Sequence, residues 1–125
     1  MTPYQYVVLR CVPRVDREEF INVGVVLHAQ AADFLDARCH VDPARLTALD
    51  PSLDPDAVEA ALTVVGQVCR GLDGRGRPTL ESLGKRFGWL AAPRSTVVQP
   101  GPVHGGLTTD PAATLAELLT RLVRR

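Results

Sequence analysis

The chain has 125 residues, of which 46% are hydrophobic and 22% are charged. This is the composition of an ordinary globular domain, long enough to bury a core without disulfides or a metal. The formal net charge is zero, which argues against nucleic-acid binding that depends on neutralising many phosphates. Residues 70–94 alone carry a charge of +4, so nucleic-acid binding through that segment stays as an alternative. We expect one domain spanning residues 1–125.

The cysteines and the N-terminus restrict the chemistry and the location. Cys11, Cys39 and Cys69 are odd in number and form no CxxC pair, so neither a disulfide framework nor a zinc site is predicted. The N-terminal residues lack the pattern of a signal peptide, and no apolar run approaches the ~18 residues of a membrane span. We therefore expect a cytoplasmic protein without a membrane segment, metal or cofactor.

Three strands are predicted in the first third of the chain. Residues 4–12, 20–29 and 34–41 are rich in β-branched and aromatic residues, and the last two alternate in polarity. Short connections make them a three-stranded antiparallel meander. In the second strand, one side would carry Ile21, Val23, Val25 and Leu27.

Helices follow, and three of them begin at an Asp-Pro pair. Asp42, Asp54 and Asp110 each precede a proline, which places a capping carboxylate before the first helical position. Apolar residues at helical spacing predict a further helix over 80–90, and residues 96–99 predict a fourth strand. The result is an α+β fold whose helices pack on one face of the sheet, the face of Ile21, Val23, Val25 and Leu27.

Residues 93–106 are the segment most suggestive of function. A β-prone run there leads into a loop stiffened by Pro100 and Pro102, and the segment carries Arg94, Ser95 and His104. Ser95 and His104 could act as nucleophile and base, but their spacing is not diagnostic. Because no motif for catalysis or phosphate binding occurs, the sequence leaves enzymatic activity open and favours a protein without it.

The polar side of the predicted sheet offers a second candidate site. The expected register aligns Arg10 with Asn22 and His40, and places Arg38 beside Gly24 in the next row. Four side chains could then form a pocket for an anion or carboxylate, or simply a solvated sheet face: Arg10, Asn22, Arg38 and His40. Trp89 either packs its helix onto the sheet or anchors an interface.

Several segments together resemble one known family. They are 19–27, 45–50, 86–89, and 92–95 continued through 102–108. The chain resembles a small bacterial family catalogued as a domain of unknown function, whose members are often encoded beside a HipA-like kinase homologue. The resemblance implies a working partnership with such a kinase and supplies no catalytic residues.

Two functions are therefore expected. The first is a small accessory protein that binds a protein partner, plausibly a HipA-like kinase. The alternative is a protein or enzyme that binds a small anion or carboxylate through the Arg/His-lined sheet face and the loop at 94–106. The candidate binding residues are Arg10, Asn22, Arg38, His40, Trp89, Arg94, Ser95 and His104.

Overall fold

A computed structural model describes residues 1–74, 77, 79–94 and 96–124. Its centre is an antiparallel sheet with the strand order β3-β2-β1-β4, in which β5 also pairs with β1. The strands are β1 (Thr2–Cys11), β2 (Ile21–Ala29), β3 (Phe34–Cys39), β4 (Val98–Pro100) and β5 (His104–Thr108). The predicted meander is confirmed as β1 to β3, and the predicted late strand as β4.

Strand β5 is an addition to the prediction. It lies in the stretch expected to be a Pro/Gly loop, and it pairs Tyr6 with His104 and Tyr4 with Gly106. Glycine is depleted in strands, so the glycines at 105 and 106 made this segment look like a loop in the sequence. Pairing with the first half of β1 imposes the extended conformation, because β4 occupies only the second half. His104 is therefore a strand residue, and the prediction of a loop there was wrong.

The helices begin where the Asp-Pro pairs predict. They are α1 (Pro43–Leu49), α2 (Pro55–Cys69), α3 (Leu83–Ala91) and α4 (Pro111–Leu122). Asp42, Asp54 and Asp110 each accept a hydrogen bond from a backbone N–H of the first helical turn, at 2.9 to 3.3 Å. Ser82 does the same for α3 through the N–H of Lys85. None of the helices in the described part of the chain is both long and apolar enough to cross a membrane.

A bulge in β2 changes the predicted register. Leu9 lies opposite Gly24, but the next residue, Arg10, lies opposite Asn22, so Val23 is an extra residue in β2. The predicted pair of Arg10 with Asn22 is confirmed. The predicted row through Gly24 and Arg38 was wrong, because Gly24 pairs with Cys39. An inserted residue reverses the alternation of side chains, so residues on the two sides of the bulge exchange faces.

The helices pack on both faces of the sheet, which corrects the prediction of a single covered face. Helices α2 and α3 lie with α1 on one face, over a core that includes Val23 and Val26. Helix α4 lies on the other face, over a second core that includes Val25 and Leu27. All four side chains are at most 1% exposed. The central strand β2 is therefore buried on both sides, as in sheets covered by helices on each face.

Gly24 is required by packing rather than by a ligand. A Cβ atom added there would lie 2.9 Å from Cys39 Sγ and 3.3 Å from Leu9 Cδ1. We expect Gly24→Ala to lower the free energy of unfolding by about 1–3 kcal/mol, since extra volume in a packed core forces its neighbours to move. Gly88→Ala is the matched control, because nothing lies within 4 Å of that position in α3. Urea unfolding measures both, and equal midpoints for the two variants would contradict this assignment.

Candidate binding site on the sheet

Helix α4 covers only half of its face of the sheet. It packs mainly on β2 and β3 and leaves the side chains of β1, β4 and β5 on that face partly exposed. The contrast within β1 is clear, because Val7 and Leu9 on the other face are 0% and 2% exposed. We call this uncovered region the open face, and its residues are Tyr4, Tyr6, Val8, Arg10, Gln99 and His104.

Arg10 contacts an aromatic ring and a backbone segment at one end of the open face. Its guanidinium carbon lies 4.2 Å from the centroid of the Phe20 ring, a cation–π contact. On Gly101, an added Cβ would come within 3.1 Å of three guanidinium atoms, so a side chain there would have to displace the guanidinium slightly. Gly101 is itself fixed beside β1, because its N–H donates to the Val8 carbonyl at 2.8 Å. The guanidinium therefore lies between a ring and a backbone segment.

Arg10 and its cross-strand neighbour also carry the unsatisfied polar atoms of the sheet. Asn22 donates from Nδ2 to the Leu122 carbonyl at 3.1 Å, which holds the end of α4 against the sheet. Within the described residues, Asn22 Oδ1 and Arg10 Nε are the buried side-chain atoms that have no hydrogen-bond partner. Native structures keep few such atoms, and they mark sites of function or bound water. Both lie in one cross-strand row.

A cleft opens beside this row. It measures about 420 Å³, and its lining residues are Arg10, Val12, Val15, Glu18, Phe20, Gln99 and Pro100. That volume falls within the range of small-molecule or side-chain pockets. Val15 is 65% exposed and Phe20 is 43% exposed, so the cleft is rimmed by apolar side chains in contact with solvent. One cation and one carboxylate, Arg10 and Glu18, provide its charge.

The other end of the open face is aromatic. Tyr4 and Tyr6 stack with ring centroids 6.1 Å apart, and Tyr6 stacks on His104 at 5.2 Å. Tyr6 and Arg10 are four residues apart on β1, or roughly 13 Å at about 3.3 Å per residue. The structure thus places two predicted site residues, Arg10 and His104, on one surface.

Two other predicted residues lie on β3 or directly after it. Arg38 lies opposite Val25 on β3, two strands away from β1, and its side chain is exposed. His40 follows β3, where its backbone N–H donates to the Val23 carbonyl at 2.9 Å. Of the four residues of the predicted anion pocket, Arg10 and Asn22 are therefore paired across β1 and β2, and Arg38 lies one strand further away.

Trp89 and Arg94 form a separate pair on the opposite face. The Arg94 guanidinium carbon lies 4.3 Å from the centroid of the Trp89 ring, and Arg94 Nη2 donates to the Trp89 carbonyl. Burial lowers the pKa of Arg94. Trp89 packs against the core under α2 and α3, as expected for a residue that joins its helix to the sheet. Ser95 lies outside the described residues, so its pairing with His104 stays a prediction.

Burial raises the pKa of two of the cysteine thiols. Burial raises the pKa of Cys11, and burial with the nearby charges of Asp36 and Cys39 raises the pKa of Cys69 to about 12. Because both pKa values lie above neutral pH, these two thiols remain protonated there. A cysteine reacts as its thiolate, so neither thiol is activated. In the part of the chain that the structure describes, no three His, Cys, Asp or Glu side chains are grouped to hold a metal ion.

Sequence reasoning missed most of the open face. Tyr4, Tyr6, Phe20 and Gln99 were assigned to strands without a role, and Gly101 to a loop. Every second residue of a strand lies on the same side, which places Tyr4, Tyr6, Val8 and Arg10 together on β1. That signal could have identified the surface. It could not show that α4 stops short of it.

Comparison with known proteins gives one match. The sequence model of a family described as "Protein of unknown function (DUF3037)" matches residues 6–123. Neither the comparison with curated proteins nor the comparison with solved structures finds a match.

Proposed function

The chain belongs to the DUF3037 family, and we propose that it is a small cytoplasmic accessory protein that binds a protein partner through the open face. One observation carries the proposal. Helix α4 packs mainly on the β2–β3 half of the sheet and leaves partly exposed the half that bears two tyrosines, a histidine and an arginine. The partner we propose is a HipA-like kinase homologue, which the family resemblance suggests.

The chemistry of the open face is that of an interface centre. Tyrosine and arginine are enriched among the residues that dominate binding energy in protein complexes. Tyr6 offers a large rigid ring already held between Tyr4 and His104, so little conformational entropy is lost when a partner packs on it. Phe20 and Val15 extend the apolar contact at the edge of the cleft.

The surface also favours a partner segment that carries negative charge. Arg10 is the arginine of the open face, and among the described residues it forms no ion pair within 4.0 Å. Burying this guanidinium in a complex without a counter-charge would be unfavourable. The partner should therefore place a carboxylate near Arg10 and apolar side chains near Tyr6.

Co-purification with a HipA-like kinase homologue, followed by calorimetric titration, tests the proposal. We expect a complex at micromolar concentration that Tyr6→Ala weakens by 5-fold to 100-fold, or about 1–3 kcal/mol. Tyr6→Phe should retain most of the affinity because it keeps the ring. Lys85→Ala, an exposed change on α3, is the control and should bind normally.

Thermal unfolding of each variant separates a binding defect from a folding defect. Tyr6→Ala should remain folded, because its side chain is only partly buried against the core under α4. If the kinase homologue does not bind, the proposed partner is wrong. If Tyr6→Ala and Lys85→Ala bind equally, the open face is not the docking surface.

A further inference from the structure

We infer that Arg10, held between Phe20 and Gly101, is a receptor for a carboxylate group. The proposed function enters only in naming the molecule that carries this carboxylate. The carboxylate belongs to an acidic side chain of the docked partner. The arrangement of Arg10, Phe20 and Gly101 is called the Arg10 clamp below.

The clamp orients the guanidinium for a planar ligand. The Phe20 ring lies against the guanidinium at 4.2 Å, and the Gly101 backbone approaches it closely as well. Arg10 also lines the cleft of about 420 Å³, so a ligand in the cleft lies beside this side chain. The edge of a guanidinium matches the two oxygens of a carboxylate in a bidentate pair. Because the side chain is already ordered, binding costs little additional rotamer entropy.

Arg10 differs from the nearby arginines in that no carboxylate of the described residues pairs with it. Nearby on the connection between β1 and β2, Arg14 pairs with Asp16 at 2.9 Å, and Arg17 pairs with Glu19. Arg10 has no such partner within 4.0 Å among the residues that the structure describes. The neighbouring arginines thus have a carboxylate of the chain within 4.0 Å, whereas Arg10 has none among the described residues.

The cleft favours a carboxylate over a phosphate. Glu18 lines the same cleft, and its negative charge opposes a ligand that carries nearly two charges at neutral pH. Val12, Val15 and Pro100 supply an apolar lining that suits the methylene stem of an acidic side chain. A single planar charge on an apolar stem fits both features.

Nuclear magnetic resonance on the isolated protein provides the test, with the Arg10 Nε–H signal as the readout. The probes are N-acetyl-glutamate N-methylamide, its glutamine counterpart, butyrate and inorganic phosphate, each titrated into the millimolar range. We expect the glutamate probe to shift the Arg10 signal and the Gly101 amide signal saturably. The glutamine probe should leave both signals unchanged.

Two pairs of variants locate the effect. Arg10→Lys keeps the charge but loses the planar fork, and it should weaken binding of the glutamate probe at least several-fold, as judged from the Gly101 amide. Arg38→Lys, an exposed arginine on β3, should bind like the parent. Gly101→Ala should displace the guanidinium and weaken binding, because its Cβ would lie 3.1 Å from Arg10 Nε. Gly88→Ala should not.

Each outcome decides the inference. Saturable shifts with the glutamate probe support it, and equal or tighter binding of butyrate identifies a free carboxylate as the source instead of a partner side chain. Binding of phosphate without binding of either carboxylate overturns the assigned ligand class. Absence of any saturable shift overturns the receptor, while docking of the kinase through Tyr6 would still be measured separately.

Discussion

Val26→Asp is expected to unfold the protein. Val26 is 0% exposed and lies in the core beneath α2 and α3. Aspartate there would bury a carboxylate with no counter-charge, a substitution that costs more than about 4 kcal/mol. Since a domain of this size is stabilised by roughly 5–15 kcal/mol, a loss above about 4 kcal/mol is a large part of its stability. Circular dichroism and the thermal unfolding midpoint measure the outcome.

The same substitution distinguishes the observed sheet from the one predicted from the sequence. Strict alternation places Val25 in the core and Val26 on the polar side, so only Val25→Asp would be damaging. The structure buries both side chains completely, and both substitutions should unfold the chain. Val64→Asp, at a position 37% exposed on α2, is the control and should remain folded. A folded Val26→Asp variant would show that α2 and α3 do not cover this face.

Leu115→Ala is expected to cost the next largest amount of stability, about 2–5 kcal/mol. Leu115 is 1% exposed and belongs to the core between α4 and the sheet. Truncation removes the buried methyl groups and leaves a cavity that the surrounding residues fill only in part. Urea unfolding should show a lower midpoint with an unchanged slope.

Leu107→Ala is the matched control for this prediction. Leu107 is 61% exposed on β5, so the same chemical change should alter the free energy of unfolding by less than about 0.5 kcal/mol. Leu46→Ala, in the core on the other face, should be additive with Leu115→Ala because the two side chains share no cluster. Similar losses from Leu107→Ala and Leu115→Ala would mean that α4 does not pack as described.

The candidate site was predictable only in part. Arg10, Asn22 and His104 were identified from residue type, and the cross-strand pairing of the first two was correct. The partners that give Arg10 its geometry were not. Phe20 and Gly101 are distant from it in sequence or separated by a turn, and nothing local indicates that their surfaces meet around one guanidinium.

The sequence by itself determined the elements whose causes are local. Capping by Asp42, Asp54 and Asp110 defines where three helices start, because the carboxylate and the proline act within one turn. The short connections around 13–18 and 30–33 likewise determine the antiparallel meander, since strands joined so closely must pair with each other.

Only the tertiary structure decided which surfaces the helices cover. The continuous apolar run Val25-Val26-Leu27 is typical of a strand buried on both sides, but a run alone does not say which helix lies on which face. The bulge at Val23, the strand at His104 and the placement of α4 all depend on contacts between residues far apart in the chain. The open face exists because α4 packs mainly on β2 and β3, where its leucines share a core with Val25 and Leu27.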